Sequence, residues 1–379
     1  MLKISLHFLL VSIIFSGCTN TKNKTKTLLF IGSFTDKKPG KGIHVYEFDE
    51  DSGKTSLTYF VDSITNTSFL KISSNGRFLY SVVDSQMKYN GKIAAFKVDI
   101  LNSKIGLLNM QDSGGINPAH LELDKTGNYL VNSNYSDGSL SLFKIEKDGS
   151  LEKNRQVLQF KDSSIIKTRQ EASHIHSSNF SPDNKYVFAH DLGADKIRSF
   201  QFNISSEKLQ SQQVIKTKLG SGPRHFVFHP NGKFGYGINE LSGKINSYKY
   251  DNGNLVFIED YLSYQHKQEI YRAADIHISA DGNFLYASNR GPKEDSIVVF
   301  SINKNNGKLR FVGHTSTFGN HPRNFAISPT GKFLLVANQF SNTIVIFRRD
   351  FKTGKLTKLP NEISVNSPSS LQMKTYAVN

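Results

Sequence analysis

The chain has 379 residues, with Lys plus Arg at 47 against Asp plus Glu at 32, for a formal net charge of +15. It has a single cysteine, which excludes a disulfide framework and leaves the fold to its hydrophobic core. The surplus cations favour an acidic partner, yet they are scattered through strands and turns with no basic helix or finger motif, which argues against nucleic acid and for a small anion or a membrane surface.

The N-terminus carries one early cation, Lys3, and then an uncharged run from Ile4 to Phe15. That run is shorter than the roughly 20 apolar residues a spanning helix needs, and suits the apolar region of a signal peptide. Ser16-Gly17-Cys18 resembles a bacterial lipoprotein cleavage site, with Cys18 as the lipidated first residue. This reading gives a signal peptide over 1–17, a polar tether over 18–27 and one domain over 28–379, placed in the cell envelope and reaching a membrane only through its anchor.

From there the chain repeats. SSNGRFLY, DKTGNYL, SPDNKYVF, HPNGKFGY, SADGNFLY and SPTGKFLL carry a turn residue at Gly76, Gly127, Asn184, Gly232, Gly282 and Gly331, with spacings between 48 and 57 residues. Each turn joins two extended runs into a hairpin, and each unit continues into a second hairpin such as GKINSYKYD or NTIVIFRRD. Four short strands per repeat, without helical periodicity, predict the blades of a β-propeller. The tail from Ser367 to Met373 matches an innermost strand that lacks partners, and 28–34, 42–48 and 56–62 are three strands that lack an innermost one. Joining them predicts an all-β, seven-bladed propeller whose last blade is closed by both termini, which removes the free edges.

Counting from each turn sorts side chains by height along the ring. Eight residues before it stand Ser68, Ala119, His176, Arg224, Ala274 and Arg323; eight after it stand Asp84, Tyr135, Leu192, Glu240, Arg290 and Gln339. A hairpin brings these two sets to one end of the ring, so His176, Arg224, Glu240, Arg290 and Arg323 are expected to converge on a single cleft suited to an anionic substrate and one acid/base pair. Arg and Glu in a channel also pair for purely structural reasons, so geometry alone leaves catalysis open. One position earlier, Asn134, Asp191, Asn239, Asn289 and Asn338 recur from blade to blade, which marks a repeated architectural task. His174 and His176 have the spacing of two ligands on one strand face, but no carboxylate cluster accompanies them, and no metal site is expected. His120, His225, His229 and His277 read as packing or hydrogen-bonding groups.

GPRHFVFHPNGKFGYGINEL, HSSNFSPDNKYVF, YRAADIHISADGNFLYASNRG, NPAHLELDKTGNYL and HPRNFAISPTGKFL together resemble the seven-bladed propeller lactonases, typified by bacterial 6-phosphogluconolactonase and related to the fungal enzyme that cycloisomerises carboxymuconate. The resemblance runs from about Leu28 to Asn379. It implies a carboxylic ester hydrolase that opens a sugar lactone without a cofactor, with His176, Arg224, Glu240 and Arg290 as catalytic residues. Arg323 and Arg272, with Tyr135 and Gln339, are then candidates for binding substrate. A lactonising cycloisomerase and a non-catalytic envelope propeller that binds a sugar acid or a protein are the competing readings. A cytoplasmic location of family relatives stands against the Cys18 segment.

Overall fold

The computed structural model describes residues 25–378. Cys18, the apolar segment before it and most of the expected tether therefore lie outside the described residues. Regular structure among the described residues is entirely β: 28 strands form seven four-stranded antiparallel sheets. The repeated turn drives each sheet. Gly232 has φ of 71° and its amide donates to the His229 carbonyl at 2.9 Å, and Asn184 takes the same left-handed conformation at 61°, a region open to Gly and, among side-chain-bearing residues, most readily to Asn and Asp.

Position within a blade decides composition. The second strands, such as 234–239 and 333–338, are buried along their whole length because both faces pack on neighbouring sheets. An outer strand such as 208–216 exposes most of its residues. Seven apolar clusters result, one in each gap between adjacent blades. Tyrosine hydroxyls bridge some of the same gaps: Tyr80 donates to the Gly149 carbonyl, Tyr236 to Gly307 and Tyr286 to Gly354, at 2.9–3.1 Å.

The ring closes as expected. Residues 368–377 form the innermost strand of a sheet completed by 25–33, 43–48 and 55–61. We number this blade 1 and the others 2 to 7 in chain order. Alternation along its second strand serves both neighbours, with Leu28 and Phe30 in the cluster shared with blade 2 and Leu29 and Ile31 in the one shared with blade 7. The strand begins at Thr25, so Thr25 to Thr27, read from the sequence as the end of a tether, are paired with Ala377 to Thr375.

The recurring residues seven beyond each turn do hold loops. The Asn289 amide donates to the Ser263 carbonyl at 2.6 Å and Asn338 to Thr317 at 3.1 Å, while the Asp191 carboxylate accepts from the His174 amide at 2.9 Å.

Candidate active site

At one end of the axis lies a cavity of about 180 Å³ lined by Tyr135, Arg169, His176, Arg224, Glu240, Arg290 and Arg323, with Ser85, Gln86, Asn117 and Ala119 completing the wall. A local irregularity aims several of these side chains. The pairing of the innermost strand with the second slips by one residue across Ala119, His176, Arg224 and Arg323, so each is the extra residue of a β-bulge. A bulged residue leaves the inward–outward alternation and can be turned toward the axis. Proline precedes three of the four, at Pro118, Pro223 and Pro322, and ahead of each proline stands a residue with positive φ: Asn117 at 63°, Gly222 at 62° and His321 at 63°. The sequence thus encodes a kink where the site needs one.

Glu240 is the hub. Its Oε2 accepts from Arg224 Nε at 2.9 Å and from Arg290 Nη2 at 3.1 Å, and its Oε1 accepts from Arg169 Nη2 at 2.6 Å. Arg224, Arg290 and Glu240 are 2 %, 4 % and 6 % exposed. Burial pushes the Glu240 carboxyl up, but Arg290, Arg224 and Arg169 together outweigh it and hold the group far below the usual carboxylate range. Arg224 is further fixed by the Ala274 carbonyl, and Arg290 by the Arg272 carbonyl at 2.8 Å and His321 Nε2 at 3.2 Å. Burial, and then the neighbouring Arg290, bring Arg224 down to about 9 and Arg323 to about 10, leaving both cationic at neutral pH. Arg323 lies over the Phe34 ring at 5.1 Å.

His176 stands against this cationic group, its ring edge-on to Tyr135 and to His225 with centroids 5.5 and 5.2 Å away. Its Nδ1 is buried without a hydrogen-bond partner. Burial first, and then Arg224, His225, Arg323 and Arg290, hold the imidazole well below its ordinary value, so it is neutral at pH 7. His174 is committed elsewhere: Nδ1 meets the Tyr135 carbonyl at 2.9 Å, Nε2 meets Glu171 at 3.1 Å, and the ring stacks on Tyr135. Among the described residues no group of three His, Cys, Asp and Glu has the geometry to hold a metal ion.

Below the arginines, Asp275 is buried between His225 at 2.8 Å and His277 at 2.9 Å, and is ionised by those partners against its burial. Four guanidiniums and one carboxylate line the cavity, and Asp275 beneath them offsets only part of the excess. An enclosed surplus of positive charge on this scale calls for an anionic ligand.

The family model for seven-bladed β-propeller lactonases matches residues 28–373. The chain belongs to this lactonase family. It is 60 % identical over 352 residues to a 6-phosphogluconolactonase of Formosa agariphila, covering 92 % of this chain and 100 % of the relative. A 6-phosphogluconolactonase of Bacillus subtilis is 32 % identical, with 91 % of this chain and 97 % of the relative aligned. Among solved structures, the periplasmic gluconolactonase of Pseudomonas aeruginosa superposes with a TM-score of 0.86 at 33 % identity, over 92 % of this chain and 99 % of that one.

Two expected binding residues of this lactonase lie off the central cavity. Arg272 sits on the loop before blade 6, where its side chain lines an adjoining cleft with His321 and Phe340 and only its carbonyl reaches the site, through Arg290. Gln339 lines a neighbouring groove with Phe34 and Gln86. Conversely, Arg169 escaped the turn counting because it belongs to no repeat: it rides on the connection between blades 3 and 4. The available signal was length, since the 57-residue spacing from Gly127 to Asn184 is the longest in the series.

The axial histidines of the lactonase carry a pH prediction. His120, His176, His190 and His225 are at most 7 % exposed, and burial holds all four below their ordinary value, His190 at about 3 and His225 at about 4. The unfolded chain takes up protons below about pH 6.5 that the folded ring refuses, so stability is full above that pH and is lost as pH falls, at about 1.4 kcal/mol per pH unit for each histidine. Depressed carboxylates such as Glu240 and Asp275 add to the loss only below about pH 4.5. The melting temperature is therefore expected to drop between pH 7 and 5. His190, stacked on Phe226 at 5.0 Å with neither ring nitrogen bonded, supplies the control: His190→Phe should flatten the slope by about one proton. A melting temperature constant over that range would refute this account.

Proposed function

We propose that this lactonase opens a sugar lactone that bears an anionic group, of the 6-phosphogluconolactone type, at the cavity around Glu240. The convergence of Arg169, Arg224, Arg290 and Arg323 beside an imidazole with an unpartnered ring nitrogen is the observation that carries the reading. Arg224 and Arg290 are buried and held by backbone carbonyls, so they meet the lactone carbonyl oxygen already oriented and stabilise the oxyanion formed in the transition state. His176, neutral in the free site, accepts a proton from water as the oxygen–carbon bond forms, and returns it to the ring oxygen as the ester bond breaks. One water is consumed and a hydroxy acid leaves as its carboxylate. A bound anion offsets the arginines that depress His176, so substrate strengthens the base it needs. Guanidiniums supply the charge stabilisation that a cation provides in metal-assisted hydrolysis, and Arg323 on the cavity wall holds the phosphate. The test is turnover of a panel of aldonolactones with and without a 6-phosphate by the protein lacking residues 1–18. Failure to open any of them, with binding of the sugar acids retained, would leave a non-catalytic propeller as the better account.

The sequence before the ring supports a second proposal, that the lactonase is tethered to a membrane of the cell envelope through acylated Cys18. Cys18→Ser is expected to release the protein from the membrane fraction. Recovery of the unsubstituted protein from the cytosol with Met1 in place would refute the tether.

A further inference from the structure

Arg169 differs from the other three arginines in how it is held. Arg224, Arg290 and Arg323 lie on or at the ends of blade strands, and Arg224 and Arg290 are tied to backbone carbonyls. Arg169 comes from a connection, its side chain is 36 % exposed, and its ion pair is with Oε1 of Glu240, beside the Tyr135 phenol. The connection itself is anchored next door: Gln170 is fully buried and its amide donates to the Leu192 carbonyl at 2.9 Å. The backbone is thus fixed while the guanidinium stands at the solvent edge of the cavity. With Arg169 in place, both oxygens of Glu240 are occupied.

We infer that Arg169 is an exchangeable clamp: it covers Glu240 in the free site and transfers its guanidinium to the distal phosphate of a phosphorylated sugar acid or lactone, uncovering Oε1 as that ligand binds. The inference rests on the functional reading above for the substrate class, but on the geometry of this pair for the exchange. A planar guanidinium matches the oxygens of a phosphate as well as those of a carboxylate, so one partner replaces another of the same sign. Arg169 is the member of the cluster able to make the exchange, because the buried pair would strand charge by leaving Glu240. Its release leaves Oε1 of Glu240 open to a hydrogen bond from water or from a substrate hydroxyl only when a phosphorylated ligand is present. Arg169 is in this sense a specificity-determining residue that acts on Glu240.

The exchange predicts a sign that a structural role does not. Binding of 6-phosphogluconate and gluconate is measured by calorimetry on the full ring. Arg169→Ala should weaken 6-phosphogluconate by about tenfold or more, the scale of one charged hydrogen bond, and by at least tenfold more than it weakens gluconate. Glu240→Gln removes the competing partner and should tighten 6-phosphogluconate relative to gluconate. That gain should vanish when Arg169→Ala is added, since the two residues then have no interaction to exchange. Arg169→Lys, which keeps the charge and guards against a folding defect, should recover part of the preference. Equal loss for both acids, or a Glu240→Gln gain that survives without Arg169, overturns the inference, as does an unsubstituted protein that shows no preference for the phosphorylated acid. Lactone turnover is scored separately: hydrolysis without phosphate preference sinks the clamp and spares the lactonase reading, and preference without hydrolysis does the reverse.

Discussion

A chain that ends at Val365 is expected not to fold. It lacks residues 368–377, which pair with 25–33 along the whole strand and supply Leu371 and Tyr376, 2 % and 5 % exposed, to the clusters on either side of blade 1. Burial of each large apolar side chain contributes about 1.5–3 kcal/mol, and each ladder bond about 0.5–1.5 kcal/mol net. The sum is comparable with the roughly 5–15 kcal/mol that holds an entire domain together. Tyr376 also donates to the Gly76 carbonyl of blade 2 at 2.9 Å, so the loss extends beyond one sheet. Absence of a cooperative thermal transition in the truncated chain is the expected result. A melting temperature within a few degrees of the intact protein would mean that six blades close without the seventh.

The second large effect is on turnover. With a lactone that the protein opens, His176→Asn is expected to lower kcat by about 10²-fold or more, since it removes the proton acceptor proposed above. Arg224→Ala removes an oxyanion partner and also leaves Glu240 Oε2 with Arg290 alone, so kcat/KM should fall by about 10²- to 10³-fold. Arg323→Ala should act mainly through KM, and more for a phosphorylated lactone than for a plain one. Asn338→Ala, which removes the hydrogen bond to the Thr317 carbonyl, should change melting temperature more than rate. If turnover survives the changes at His176 and Arg224, the chemistry takes place elsewhere on the ring.

Most of this arrangement was legible because a repeat converts sequence position into height along an axis. The pair Arg224 and Glu240 could be placed at one end of the hairpin from Pro230-Asn231-Gly232 alone, and they are bonded there at 2.9 Å. The closed ring was legible from the unpartnered tail at Ser367. What the repeat could not carry was lateral direction. The bulges that rotate His176, Arg224 and Arg323 inward depend on register between strands, and Gln339 has the right height with the wrong bearing. Leu192 and Asp84 share the same offset and are buried in the walls. Arg169 lay beyond counting altogether, since a connection has no offset from any turn. The strongly depressed Glu240 carboxyl was equally hidden, because it depends on three guanidiniums converging from separate parts of the chain.

The antiparallel pairing inside blade 1 also separates the start of the ring from the mouth of the cavity. The cavity opens where the innermost strands begin, at Pro223, Pro322 and Pro368, and Pro368 is paired with Ser33. Thr25 is paired with Ala377 at the other end of the same two strands, a strand length of roughly 30 Å away. Thr25 therefore enters the ring on the face opposite the mouth. A label or support coupled directly at Thr25 sits a full strand length from the cavity and leaves the mouth open to solution.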